Sequence, residues 1–406
     1  MTSQKYIALI DCDSFFVSCE RKLNPELKGL PVCVVTGERG CVVSRSREAK
    51  TMGIPMGIPL FQAVEQFPEC IYISANHFHY KEISRAVMQI LRNFSPNVQV
   101  YSIDEAFVDF TGLTKLYKNN YYKLAEQLQK QILDEVDSPV TIGVSTSKTL
   151  AKLASDKAKN SKNRISLAGK QTRIKLLKQT KIQEVWGIGK RLGDKLRGYG
   201  IQTAYDYIQK EDEWIQKRFG KNGLTTKVEL GGIMVSPISN EIEIPKSISD
   251  TKSFLEFTSD INFLRNELSV HIHSCCKRLR AIDCKCGNIG VLLKTKDFKT
   301  YYETIKLDVP LDFEFDISKQ AFLLLDKMYS SSVLYRSIGI VFDDFYLNAK
   351  EQLLLFDNNS KREKNEKLGK SLDKLEAKFG RNIVKTGFTN EDVPYKADFL
   401  TLPKDI

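Results

Sequence analysis

The chain has no long apolar run. Its hydrophobic stretches fall far short of the ~20 residues that a membrane-spanning helix needs, which excludes a bilayer span and a membrane partner of that kind. It has no signal-peptide pattern either: Met1-Thr2-Ser3-Gln4-Lys5 passes almost at once into a strand-like segment, so a cytoplasmic location is expected. No internal repeat occurs. Histidine is scarce, with four in 406 residues, and the nine cysteines are an odd number in a chain without a secretion signal, which points to reduced thiols. His271, His273, Cys275, Cys276, Cys284 and Cys286 match no standard zinc-ligand spacing, and 260–283 reads as a helix in which buried cysteines are ordinary packing. Acid is nearly missing from one stretch: residues 146–200 hold 3 Asp/Glu against 15 Lys/Arg, a net of +12. The whole chain carries +11, so the remainder sums to −1. Positive charge concentrated in this way suggests a polyanion site, most simply a phosphate backbone; the plain alternative is a solvated basic surface.

What is present begins with two acidic clusters. Asp11 stands in Ile7-Ala8-Leu9-Ile10-Asp11-Cys12-Asp13, and Asp104-Glu105 in Val100-Tyr101-Ser102-Ile103-Asp104-Glu105-Ala106-Phe107-Val108-Asp109. Each borders short apolar runs that read as strands. A carboxylate at a strand end beside a pair on a strand turn can chelate two Mg²⁺ ions about 3.5–4 Å apart, which clamp the attacking and leaving oxygens of a phosphoryl transfer. A strand-end cap would account for Asp11 alone, but not for both clusters.

At 406 residues the chain is too long for one core, and 42% hydrophobic with 27% charged residues fits a soluble globular protein of two to four domains. Strands are expected at 6–12, 31–36, 41–44 and 140–145. Strands at 98–103 and 106–110 should form a hairpin with Asp104-Glu105 near its turn. Helices are expected at 45–52, 78–93, 114–136 and 148–159. This is an α+β first domain. Residues 166–235 read as short helices, and 236–245 as an extended linker. Over 246–346 the order is βαββαβ, near charge balance, so nucleic-acid contacts there should come from the sheet face or from patches such as Lys277-Arg278-Leu279-Arg280. Leu368, Leu372, Leu375 and Phe379 recur at helical spacing. Trp186-Gly187-Ile188-Gly189-Lys190-Arg191-Leu192-Gly193 follows the helix-hairpin-helix pattern, in which glycines let exposed N–H groups meet DNA phosphates; Lys195 and Arg197 follow.

With these runs in view, the chain resembles the Y-family translesion DNA polymerases. The likeness rests on Asp11 to Glu20, Gly40 to Lys50, Tyr101 to Ala106 and Gly143 to Lys152; the UmuC-like branch is suggested by Gly40 to Ser46, Val185 to Gly189 and Gln352 to Asp357. It implies a multidomain right hand: palm over 1–15 and 76–165, fingers over 16–75, thumb over 166–235 with its hairpin at Gly187, Gly189, Lys190 and Arg191, linker 236–245, little finger 246–346, and tail 347–406. It implies error-prone, template-directed nucleotide addition past lesions in the SOS response, with two Mg²⁺ held by Asp11, Asp104, Glu105 and the Cys12 backbone carbonyl. Primer-template DNA and dNTPs would be the substrates. Phe16 falls at the steric-gate position, where a ring under the sugar rejects a 2′-OH; the other reading of Phe16 is a core aromatic. The N–H groups of Phe15 and Phe16, with Ser44, Arg47, Lys50 and Lys159, fall at triphosphate positions. Arg45 is an extra basic residue of the UmuC-like pattern, and whether Arg45 or Arg47 meets phosphate stays open. Cys41 and Val43 would roof the nascent pair. Gln352, Leu353, Leu355 and Phe356 resemble a bacterial sliding-clamp-binding peptide, against the alternative of a strand packed on its own domain. A UmuD-like dimer and RecA are further partners by resemblance, and recruitment would bring the chain to the nucleoid. The segment 16–75 has no long insertion, and no proofreading exonuclease pattern is visible. The rivals are a non-catalytic, clamp-recruited DNA-binding protein and a two-metal nuclease.

Overall fold

The computed structural model describes residues 5–114, 120–159, 161, 163–239, 244–347 and 359–379. Two compact units divide the chain near residue 241. The first runs β1 (Ile7–Cys12), α1 (Phe15–Leu23), β2 (Val32–Val35), β3 (Val42–Arg45), α2 (Arg47–Thr51), α3 (Leu60–Gln66), β4 (Ile71–Ser74), α4 (His77–Phe94), β5 (Val98–Val100) and β6 (Glu105–Asp109). It continues with α5 (Tyr121–Val136), β7 (Val140–Ser145), α6 (Lys148–Ala158), β8 (Ile165–Ala168), α7 (Lys170–Gln179), α8 (Lys190–Gly198), α9 (Ala204–Ile208) and α10 (Asp212–Leu230). The second runs β9 (Ser247–Thr258), α11 (Ile261–Ala281), β10 (Cys284–Thr295), β11 (Thr300–Leu311), α12 (Glu314–Met328), β12 (Tyr335–Leu347) and α13 (Asn359–Phe379).

The five-stranded sheet of the first unit has the order β5-β6-β1-β7-β8, which puts the apolar strand β1 in the middle. Alternation decides its two faces. Ala8, Ile10, Ala106, Val108, Ile142 and Val144 pack with Ile83, Val87, Leu91, Leu124, Leu128 and Ile132 of α4 and α5. Ile7, Leu9 and Phe107 turn to the opposite face, where Ala151 of α6 covers them. Helix α6 approaches closely because Gly143 of β7 has no side chain: a Cβ there would run into the Ala151 carbonyl oxygen and the Ser155 nitrogen. Gly143→Ala is therefore expected to cost at least the ~1–3 kcal/mol of an overpacked core, read as a lowered melting midpoint of the first unit. An unchanged midpoint would show that α6 can move away.

One expected element differs at its edge, and two further elements appear. The helix expected from 114 begins at Tyr121, because the Asn120 side chain accepts from the Tyr122 and Lys123 N–H groups and caps it. Residues 60–66 and 71–74, unassigned in the sequence reading, form α3 and β4; β4 pairs parallel with β2, and β3 pairs antiparallel on its other side. Cys33, Val35, Val42, Ala49, Ile54 and Ala63 form the core of this small sheet.

The second unit has the expected βαββαβ order and an antiparallel sheet β11-β10-β12-β9. Cys275, Cys276, Cys284 and Cys286 lie in its apolar core, as packing. Much of the charge of the patch Lys277 to Arg280 is paired within the unit. Arg280 bridges Glu314 and Asp373 at 2.8 Å each, Lys277 meets Glu376 at 2.5 Å, and Arg278 donates to the Ser249 carbonyl. Helix α13 thus docks by its polar side, while Leu368, Leu375 and Phe379 stay exposed. His273 joins the cluster, with Nδ1 3.1 Å from Glu314 and Nε2 2.8 Å from Glu376. The Glu314 hydrogen bond raises the His273 pKa against burial, and Glu376 adds to the rise. A raised folded value means that this stability is complete below the unfolded value of about 6.5 and is lost as pH climbs through the folded one. Hydrogen exchange over 365–378 is accordingly expected to be less protected at alkaline pH than at pH 6, after correction for the intrinsic rate; equal protection would contradict it. Among the described residues, no helix is long and apolar enough to cross a membrane.

Candidate active site

Strand register builds the acidic centre. Asp11 ends the apolar run of β1 and lies directly opposite Glu105 on β6 and Thr141 on β7. The Cys12 N–H donates to the Asp104 carbonyl at 2.9 Å, which fixes the turn carrying Asp104 beside β1. Ser102 Oγ donates to Asp104 Oδ1 at 2.5 Å. Asp11 is 4% exposed.

Two cations from α6 and its C-cap reach these acids. Lys159 Nζ lies 2.7 Å from Asp11 Oδ2; Lys152 Nζ lies 3.3 Å from the same oxygen and also pairs with Glu105. Burial pushes both carboxyls up. For Asp11 the Glu105 hydrogen bond and the two ammoniums prevail, and its pKa falls. For Glu105 burial and the Asp11 hydrogen bond prevail over Lys152, and its pKa rises to about 7. One proton is thus shared unequally between two acids that face the same cation. Lys152 was part of the quoted Gly143 to Lys152 run but was not assigned a role in the sequence; its position makes it part of the centre.

A second group of cations stands next to the first. Lys50 Nζ is 3.0 Å from Ser14 Oγ, and Arg164 pairs with Asp13, whose other contact is Thr141 Oγ1 at 2.7 Å. The Lys50 pKa is lowered, first by burial and then by the like charges of Arg45, Lys159 and Arg164. Mutually repelling cations of this kind are stabilised by an incoming polyanion. The Arg45 guanidinium donates inward to the Ile54 carbonyl, whereas Arg47 is exposed. Ser44 is buried at 6% exposure, and Cys41 and Val43 are half-buried. Ser14, in the left-handed region, begins α1 without a side-chain cap, so the N–H groups of Phe15 and Phe16 lie at an uncapped helix start. The half-buried Phe16 ring stacks on Tyr80 at 4.6 Å and meets His77 edge-on at 5.7 Å.

Asp11 and Glu105 converge on one ammonium, Lys152, which stands where a metal cation would be shared; that donor set suits a hard divalent ion. Among the described residues no three acidic, histidine or cysteine side chains are placed to hold a metal ion, and Asp104 accepts from Ser102.

Away from this centre, Gly187 has φ +86, and Gly189 begins α8 with Lys190 and Arg191 exposed. In the second unit, a cationic and aromatic patch went unread in the sequence. Arg336 lies 3.8 Å and Lys294 5.2 Å from the Phe298 ring, which is 64% exposed, and Lys296 lies 5.7 Å from Phe257. Its signal was the Lys294-Thr295-Lys296-Asp297-Phe298-Lys299 run, read only as a strand connection. Gln352, Leu353, Leu355 and Phe356 lie outside the described residues, as does everything after 379.

Comparison with known proteins agrees with this architecture. A Y-family DNA polymerase chimera of Dbh and Dpo4 superposes with a TM-score of 0.72 at 26% identity, covering 84% of this chain and 100% of that one. An insertion ternary complex of Dbh DNA polymerase gives 0.57 at 25% identity, with 84% and 100% coverage. Protein UmuC of Salmonella typhimurium is 32% identical over 93% of this chain and 92% of its own length. DNA polymerase IV 1 of Halalkalibacterium halodurans is 30% identical, over 95% and 94%. The fold is that of the Y-family DNA polymerases. The impB/mucB/samB family model matches residues 10–156, its C-terminal domain model 245–355 and its helix-hairpin-helix model 170–201, and the chain belongs to that family.

Proposed function

We propose that this chain is a DNA-directed DNA polymerase that carries out translesion synthesis in the DNA-damage response, by nucleotidyl transfer at the Asp11–Glu105 centre. One observation carries the reading: the buried Asp11 and the half-buried Glu105 converge on a cation beside the repelling group Arg45, Lys50, Lys159 and Arg164. Acid beside base at that spacing suits a metal-bound triphosphate. Two Mg²⁺ ions, bound by Asp11, Asp104, Glu105 and the Cys12 carbonyl, would activate the primer 3′-hydroxyl and neutralise the triphosphate.

The chain's own groups do the rest. Asp11 and Glu105 would hold the ions as carboxylates at the place between them that the Lys152 ammonium occupies. Lys50, Lys159 and Arg47 hold the triphosphate, and the N–H groups of Phe15 and Phe16 receive it at the start of α1. Phe16, fixed on Tyr80, lies under the sugar, and Cys41 and Val43 roof the base pair. In this reading residues 1–15 and 76–165 are the palm, 16–75 the fingers, 166–235 the thumb and 246–346 the little finger. Gly187, Gly189, Lys190 and Arg191 hold duplex backbone, and the Phe298 patch meets the template strand. The segment Gln352 to Phe356 is the proposed sliding-clamp peptide; a UmuD-like dimer and RecA are proposed partners at the nucleoid.

The test is primer extension on undamaged and abasic templates with Mg²⁺ and dNTPs, beside Asp104→Ala. Lengthening across the lesion that disappears in the variant is expected. Shortened products would favour a nuclease. Tight DNA binding without extension, even with a UmuD-like dimer and RecA added, would favour a non-catalytic DNA-binding protein.

A further inference from the structure

Trp186 immediately precedes the hairpin glycines, yet its side chain leaves the helical region that follows. Its indole Nε1–H donates to the Tyr101 hydroxyl at 3.2 Å. The indole meets the Tyr101 ring edge-on at 5.3 Å and leans on Phe107 at 5.8 Å. Both partners flank the catalytic acids. Tyr101 N–H donates to the Glu105 carbonyl at 2.9 Å, closing the turn that carries Asp104. Phe107 follows Glu105 by two residues on β6 and shares its face, where it is buried among Ile7, Leu9 and Ala151. Met234 and Ile238 pack against this cluster too. On the other side of Trp186, Gly187 turns the chain at φ +86, and Ile188, 4% exposed, anchors the hairpin in the core of the α7–α10 region. The peptide that would hold duplex phosphates is therefore one residue away from a ring seated against the acid-bearing turn.

We propose that Trp186 is a positioning residue: it sets the register between the DNA-holding hairpin and the Asp104–Glu105 turn, through Tyr101 and Phe107. This rests on the polymerase reading above. Duplex DNA is stiff over the few base pairs concerned, so a hairpin displaced by 1 Å displaces the primer end by a similar amount. Displacements of that size cost about a hundredfold in reactions that depend on alignment. The affinity for DNA, which comes from backbone charge spread over many contacts, should change little.

The experiment compares Trp186→Ala, Trp186→Phe and Tyr101→Ala with the wild-type chain in single-turnover primer extension. Rates are normalised to the active fraction by burst titration, and DNA affinity is measured by anisotropy. For Trp186→Ala the maximal addition rate at saturating dNTP is expected to fall about ten- to a hundredfold, with DNA affinity within about threefold of wild type. Trp186→Phe keeps the ring and should recover most of the rate. Tyr101→Ala, at a half-exposed position, should reproduce the loss and serves alone if Trp186→Ala does not fold. A normal maximal rate in Trp186→Ala or Tyr101→Ala, or a loss confined to DNA affinity, would overturn the proposal. A wild-type chain that fails to extend primers would instead sink the polymerase reading itself.

Discussion

Asp11→Asn should abolish nucleotide addition while leaving the chain folded and bound to DNA. Asp11 is buried on the central strand, directly across from Glu105, and both acids face Lys152. The substitution keeps the shape and removes one of the two charges that converge there. It also removes the like charge that helps to raise the Glu105 pKa, and it leaves two ammoniums to share one acid. A cation site with that balance repels a divalent ion. Losing several kcal/mol of charge stabilisation corresponds to a loss of at least about a thousandfold in rate. The fold should survive: Lys159 is 40% exposed and can turn its ammonium to solvent. Single-turnover primer extension, with melting and DNA anisotropy alongside, separates the effects. Extension within tenfold of wild type would show that Asp11 is only a strand-end residue.

Phe16→Ala is expected to open the sugar pocket to ribonucleotides. A steric filter works only if its ring cannot yield, and here the ring stacks on Tyr80 at an interplanar angle of 17°. Tyr80 is fully buried, and its hydroxyl donates to Glu20 Oε1 at 2.5 Å, so the platform under Phe16 is itself held. Discrimination by shape in such pockets is worth about 1–3 kcal/mol, so ribonucleotide use relative to deoxynucleotide use should rise about 10- to 200-fold. Phe16→Tyr should keep the filter. Competition assays scoring rNMP against dNMP incorporation read the ratio directly. A ratio unmoved by Phe16→Ala would return Phe16 to the role of a core aromatic.

What could be read from the sequence, and what could not, follows the range of the interactions. The Asp11 and Asp104–Glu105 strands announce themselves because apolar alternation is local, and the βαββαβ order of the second unit is legible for the same reason. Strand β4 went unassigned, and it forms where β2 offers it a parallel partner. Lys152 looked like one lysine in a basic stretch. Its signal was the spacing of Lys148, Lys152 and Lys159, all near one helical face, but only the close seat of α6 on the sheet turns that face toward acid. The pairing of Lys277 and Arg280 was hidden for the opposite reason. Their partners Asp373 and Glu376 stand about a hundred residues downstream, on a helix of which the sequence showed only an apolar spacing. It docks by its acids instead.

Gly143 gives the first unit a fixed ruler. Where helix and sheet meet through side chains, a substitution on one surface can be absorbed by a rotamer change on the other, and the spacing drifts as a lineage drifts. At Gly143 main chain rests on main chain, so there is no intervening layer to adjust. The height of α6 above the strands is then set there by backbone dimensions. Adaptation to a hotter cell or to a bulkier lesion then has more room around the pocket's rim than in the spacing of helix and sheet.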